Sequence, residues 1–178
     1  MDQTRELPPA VRAIDVAMEK RGYDPTSEEA QSGGIAFGVL VHAILAQTPF
    51  DADRAAILDI ARIEARLLGL SDSDTETAAK KIEDALKHPL LAQARAASER
   101  GACRRETPIT YQLPDGTIVE GVVDLAFEER GRWTVVDYKT DRELATEGEE
   151  RYRRQIALYA AAIAQATGGS ATGVLLRV

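Results

Sequence analysis

Three charged residues stand inside runs that otherwise read as buried strand, and they restrict the fold more than any other feature of the chain. Val122-Val123-Asp124-Leu125-Ala126-Phe127 and Val135-Val136-Asp137-Tyr138-Lys139 are β-branched, apolar segments that carry charge. A charge in such a run is costly unless it is paired or binds a metal. Side chains alternate along a strand, so Asp137 and Lys139 share one face while Val136 and Tyr138 share the other. The two runs are consecutive strands, which brings two acids and a cation within reach of each other.

The rest of the second half keeps the strand period. Arg104–Gln112 reads as a strand, Pro114-Asp115-Gly116 as a hairpin turn, and residues 117–127 and 132–138 as two more strands joined at Glu129-Arg130-Gly131. Thr146 with Glu149 is a capping-box pattern opening a helix from about 147 to 166. Gly168-Gly169 ends that helix, and Gly173–Val178 is a last apolar strand.

The first half has a helical period. Pro8-Pro9 can start a helix that runs to about Arg21, with Gly22 as its stop, and residues 23–33 read as a loop. Ile35 to Gln47 is apolar on nearly every face and reads as a buried helix. Residues 53–69 repeat Ile57, Ile60, Ala61, Leu67 and Leu68 at helical spacing. Ser73 with Glu76 suggests a capping box before a helix reaching about Lys87, and Pro89 separates it from a short helix 90–99. The expected fold is α/β: a helical N-terminal half, then a mixed central sheet flanked by helices.

At 178 residues the chain is expected to form one domain, divided as 1–32 (helix and loop), 33–103 (helical part) and 104–178 (sheet core). The N-terminus has no apolar signal core, and no apolar run approaches the roughly 20 residues of a membrane helix, so a cytoplasmic location without membrane contact is expected. Cys103 stands alone, which excludes an internal disulfide framework and a four-cysteine zinc or iron–sulfur site within the chain. A net charge of −7 argues mildly against a broad nucleic-acid surface while leaving room for local basic patches.

Oxygen ligands at such acids suit Mg²⁺, with Mn²⁺ able to substitute. A lysine two residues from a metal-binding aspartate could hold or deprotonate an attacking water, or neutralise charge developing on a phosphate. Together these groups suit phosphodiester hydrolysis.

Gly121-Val-Val-Asp124 and Asp137-Tyr-Lys139-Thr140 resemble the core motif of the PD-(D/E)XK nucleases, in particular the RecB-type branch found at the C-terminus of AddA-like and UvrD-like helicase-nucleases. Gly38-Val-Leu-Val-His42 resembles the helix that supplies a metal-binding histidine in that branch. Arg105-Glu106-Thr-Pro108 resembles its first core strand with an acidic residue. Gln155-Ile-Ala-Leu-Tyr159 resembles its glutamine–tyrosine helix motif, and Val174–Val178 its last strand. The resemblance covers roughly residues 33–178. Val123 replaces the proline of the superfamily's name, and no phosphate-binding loop of a helicase motor is present. The resemblance implies a restriction-endonuclease-like core and a Mg²⁺-dependent DNA nuclease without an iron–sulfur cluster. It further implies exonuclease action as one module of a repair and recombination helicase-nuclease. The partners it implies are a helicase in the same parent chain and a second subunit. It assigns His42, Asp124, Asp137 and the Tyr138 backbone carbonyl to the metal. Lys139, Asp124, Asp137 and Glu106 fall to catalysis, and Gln155, Tyr159, Arg151 and Arg154 to DNA or to supporting the site.

Each assignment has a competitor. Asp137 and Lys139 could be a surface ion pair, Asp124 a strand-end acid bonded to backbone, His42 a satisfied core histidine, and Glu106 a cap or a partner of Arg104. Tyr159 could pack on the sheet with Gln155 at its rim, and the arginines Arg151, Arg153 and Arg154 could balance Glu147, Glu149 and Glu150. The alternative function is a catalytically inactive nuclease fold that binds DNA or docks another protein of the complex.

Overall fold

The computed structural model describes residues 11–15, 28–113, 115–141, 143–144 and 149–178, and in it the strand period of the second half is realised as a meander. β2 (Cys103–Gln112), β3 (Ile118–Glu129) and β4 (Arg132–Lys139) pair antiparallel in sequence. Arg130 and Gly131 turn the chain between β3 and β4 with φ of 54° and 78°, the paired positive values that suit the twist of a tight hairpin. Helix α5 (Glu149–Thr167) then crosses one face of the sheet and returns the chain to β5 (Ser170–Arg177), parallel to β4. The proposed cap at Thr146 lies outside the described residues.

A fifth strand, β1 (Val11–Asp15), pairs parallel with β5 and gives the order β1-β5-β4-β3-β2. This corrects the helix expected from Pro8 to Arg21: residues 11–15 are strand, and the remainder of that stretch lies outside the described residues. Five residues fit either period, and the ladder offered by β5 overrides weak local propensity.

Four helices precede β2: α1 (Glu28–Gln47), α2 (Arg54–Leu68), α3 (Asp72–Leu86) and α4 (Pro89–Glu99). α1 starts earlier than expected, so residues 28–33 are helix rather than loop. Asp53 caps α2 by accepting from Ala56 N, and Gly69 stops it in the left-handed region at φ 68°. The capping box of α3 is Ser71 with Asp74, not Ser73 with Glu76; both spacings fit the pattern, and the helix begins ahead of the second. Pro89 opens α4 at its first position, and His88 Nδ1 accepts from Leu90 N as its cap.

Both faces of the sheet are covered. Phe37, Leu40, Val41 and Ile44 of α1 pack with residues of α2–α4 against Leu125, Phe127, Val136, Tyr138, Val174 and Leu176. On the other face Tyr152, Ile156, Tyr159 and Ala160 of α5 meet Val123, Ala126, Val135 and Leu175. α5 lies so close to β5 that a Cβ on Gly173 would come within 2.9 Å of Ile156 Cγ1. Burial on both sides explains why β4 and β5 read as continuous apolar runs instead of alternating ones. Among the described residues no helix is long and apolar enough to cross a membrane.

Candidate active site

The sheet opens where its acids sit. β3 and β4 pair from Glu129 and Arg132 as far as Leu125 and Val136, and no further. Asp124 and Asp137 are the next residues on each strand, at the mouth of this fork. On the other side of β3, the ladder with β2 passes from Arg105–Leu125 to Thr107–Val123, leaving Glu106 and Asp124 unbridged. Glu106 has φ 45°, a left-handed conformation uncommon for a non-glycine residue and found where a strand is bent at a functional position. The alternation of β3 breaks at the same place. Val123 packs on the α5 side, whereas Leu125 packs beneath α1–α4.

Asp124, at that break, bridges α1 and β4. Its Oδ1 lies 3.2 Å from His42 Nδ1 of α1, and its Oδ2 accepts from Tyr138 N of β4 at 2.8 Å. Asp137 and Lys139 project together, as the strand period requires, with Nζ 2.9 Å from Asp137 Oδ2. Nζ also sits 4.6 Å over the Tyr152 ring of α5. Asp124, Asp137 and Lys139 are 9%, 4% and 6% exposed, which removes the exposed-ion-pair reading of Lys139 and Asp137. The Tyr138 phenol packs into the core with its ring edge-on to His42, and burial pushes its pKa well up.

The charges perturb one another. Burial, and then the field of Asp124, raise the Asp137 carboxyl to about 6 despite the opposing ammonium of Lys139. Burial alone would lower His42, yet the hydrogen bond and charge of Asp124, helped by Glu143, raise it to about 9. Burial likewise opposes the charge on Lys139, but Asp137, Asp124 and Glu143 outweigh it and raise its pKa. Glu106 is raised by burial and by Asp124.

A cavity of about 430 Å³ opens above these groups, lined on its polar side by His42, Glu106, Lys139 and Glu143. Ile35, Val39, Ala43 and Ala46 of α1, with Tyr152, form its apolar side. Ile35 and Val39 are 57% and 48% exposed, so α1 is not buried on every face as its composition suggested. Two lining residues were not singled out from sequence. Tyr152 stands one helical turn before the glutamine of the α5 motif. Glu143 stands three residues after Thr140, a spacing that matches a capping box and was available as a signal.

The residues assigned to DNA lie apart from the cavity lining. Gln155 Nε2 donates to Tyr159 OH at 2.7 Å, and Tyr159 is buried against β3 over Gly121, whose missing Cβ makes room for the phenol. That geometry matches the packing reading of Gln155 and Tyr159. Arg151 and Arg154 are exposed on the first turns of α5, and Arg153 is half-buried. Arg105, beside Glu106, turns away to the end of α1. Its Nη1 donates to the carbonyls of Leu45 (3.1 Å) and Thr48 (2.6 Å), and its guanidinium stacks 3.8 Å above Phe50.

The donor set fits a hard divalent cation. His42 Nε2 is buried without a hydrogen-bond partner among the described residues, a state a bound ion would relieve. The bond from His42 Nδ1 to a carboxylate is the outer contact that orients a ligating imidazole and leaves Nε2 for a metal. Asp124 retains lone pairs on both engaged oxygens. As they stand, no three of the described His, Cys, Asp and Glu side chains are gathered at coordination distances, so binding requires side-chain adjustment.

The family model of the PD-(D/E)XK nuclease superfamily matches residues 17–178. A relative from Desulforudis audaxviator, one of the subunits of an ATP-dependent helicase/nuclease, is 32% identical over 149 residues, covering 72% of this chain. Its counterparts in Lysinibacillus sphaericus and Staphylococcus saprophyticus are 29% and 24% identical, covering 76% and 83% of this chain. The chain spans 12% to 14% of the length of these relatives.

Proposed function

The chain belongs to the PD-(D/E)XK nuclease superfamily, and from that premise we propose that it is a metal-dependent DNA-cleaving module of a helicase-nuclease. The observation that carries the reading is the buried Asp137–Lys139 pair, held at 2.9 Å beside Asp124 and His42 at the open end of the sheet. Mg²⁺ is the proposed ion, with Mn²⁺ able to substitute; His42, Asp124, Asp137 and the Tyr138 carbonyl would hold it. When bound, the ion supplies Lewis acidity and a more acidic water.

The protein's own groups do the rest. The carboxylates keep Lys139 protonated, which favours neutralising charge on the cleaved phosphate over abstracting a proton. Glu106, raised by burial and facing the cavity, is suited to hold or accept a proton from the attacking water. The apolar side of the cavity suits sugar and base surfaces. Exonuclease action in DNA repair and recombination, with a helicase in the same parent chain and a second subunit, completes the proposal. The helicase/nuclease subunit names of the relatives support the helicase and subunit partners in that proposal.

End-labelled single and double strands incubated with Mg²⁺ should be cleaved, and chelator should stop cleavage. Asp137→Ala should lose metal and activity together. An Asp137→Ala protein that still cleaves at the parent rate would remove the site. Arg151 and Arg154 are proposed as phosphate contacts, so truncating both should weaken binding across sequences and flatten its salt dependence by roughly 0.7–0.9 per lost contact. An unchanged slope returns them to the solvated face.

A further inference from the structure

Gly38 stands one helical turn before His42 on α1, and the space beside it is filled from another part of the chain. A Cβ built there would lie 2.7 Å from Glu143 Cδ and 3.0 Å from its Cγ and Oε1. Glu143 follows β4. Its Oε2 accepts from Thr140 N at 2.8 Å and from Thr140 Oγ1 at 2.9 Å, and Leu144 N donates to Thr140 O at 3.1 Å, closing a single turn. Its other oxygen, Oε1, faces His42 Nε2 at 3.8 Å. That nitrogen is buried and has no hydrogen-bond partner among the described residues. Thr140 is itself buried and directly follows Lys139. One carboxylate therefore touches the strand end that carries the lysine and faces the helix that carries the histidine.

We propose that Glu143 is a positioning residue of the active site, seated in the slot left by Gly38, where it fixes His42 relative to the Lys139–Thr140 strand end. The nuclease reading supplies what is being positioned, and the inference rests on it to that extent. The physical content is a three-part lock. A side chain at 38 would push the carboxylate out of the space it occupies, and the two Thr140 donors resist that shift. A cap that only ended β4 would need neither the glycine nor the approach to His42.

The test is a cycle of Gly38→Ala, Glu143→Ala and their combination, with Glu143→Gln alongside. It is read by thermal midpoint, by the Nε2 nitrogen resonance of His42 and by Mn²⁺ titration, as well as by cleavage rate. Alanine is the better helix former, so in an open slot Gly38→Ala would raise the midpoint. Here it should lower the midpoint of the parent protein and raise it in the Glu143→Ala background, where the slot is empty. Glu143→Ala should shift the His42 resonance and weaken Mn²⁺ binding, because the carboxylate that faces His42 Nε2 at 3.8 Å is gone. Glu143→Gln keeps an acceptor for Thr140, so it should restore the midpoint but not the Mn²⁺ affinity. A higher midpoint for Gly38→Ala in the parent overturns the lock. So does a Glu143→Ala protein whose midpoint falls while His42 and Mn²⁺ affinity stay unchanged. Should the parent protein neither bind Mn²⁺ nor cleave, the nuclease reading fails, and the midpoint cycle and the His42 resonance still decide the role of Glu143.

Discussion

Binding of Mn²⁺ should release about one proton per ion at pH 7, and the count should change with pH in a calculable way. The metal-free site is not deprotonated. His42 is held charged by Asp124 with a pKa of about 9, and Asp137 is pushed up to about 6 by burial and by Asp124. A metal needs the imidazole neutral and the carboxylate ionised. At pH 7 His42 is then almost fully protonated, so about one proton is displaced, and the raised Asp137 carboxyl adds to the count as pH falls. Below pH 7 the count rises above one as Asp137 takes up its proton. Mn²⁺ affinity should therefore fall about tenfold per unit from pH 9 down to 6, and more steeply below, approaching a hundredfold per unit. The sign agrees with folding linkage: the His42–Asp124 contact stabilises the metal-free protein fully below the ordinary histidine pKa and is lost as pH rises through about 9. Calorimetric titration in buffers of different ionisation enthalpy counts the protons directly, and His42→Gln should lower the count at pH 7, since His42 supplies most of it. Tight binding with no proton released at pH 7 would show that His42 is not the charged partner of Asp124, and the reasoning would fail.

Three further outcomes follow from single contacts. Lys139→Ala should slow single-turnover cleavage about a hundredfold or more while changing Mn²⁺ affinity little, since a protonated lysine offers no lone pair; near-parent cleavage would contradict its role. Arg105→Ala strips the Leu45 and Thr48 carbonyls of their donor and removes the stack on Phe50, so urea denaturation should show a loss of about 2–3 kcal/mol. Gly121→Ala places a methyl against the Tyr159 hydroxyl and should cost about 1–3 kcal/mol, less in a Tyr159→Phe background where the nearest atom is gone; equal costs in both backgrounds would deny the contact.

The strands and their acids were legible because a charge in a β-branched run has few explanations. The sequence also placed Asp137 and Lys139 on one face, since that needs only the period of a strand. It did not tell that β3 changes faces at Asp124, because a break in alternation depends on where β2 and β4 stop pairing. His42 was legible only through the family resemblance, as a lone histidine among Leu40, Val41 and Ile44 is ordinarily core. Glu143 was missed because Thr140-Asp-Arg-Glu143 reads as a connection, and the competing pattern at Thr146 sits nearer the periodic run of α5. Apolar composition marked α1 as buried, but periodicity says which residues avoid water and not what covers them. Ile35 and Val39 border an open cavity instead. β1 was misread because five residues carry too little pattern to outweigh a neighbouring prolyl start signal.

The similarity to the family begins at residue 17, downstream of β1, yet β1 lends a backbone partner to each residue from Gly173 to Arg177 of β5. Without it, β5 would become the border of the sheet. The N–H and C=O groups along its Val174-Leu175-Leu176 run would face outward with no protein partner, and such a border recruits the matching strand of another molecule. The limits of recognisable ancestry and of a self-contained fold therefore differ in this protein. A chain trimmed to the former would keep every residue proposed for the site and lose the guard rail that keeps one copy from zipping onto the next.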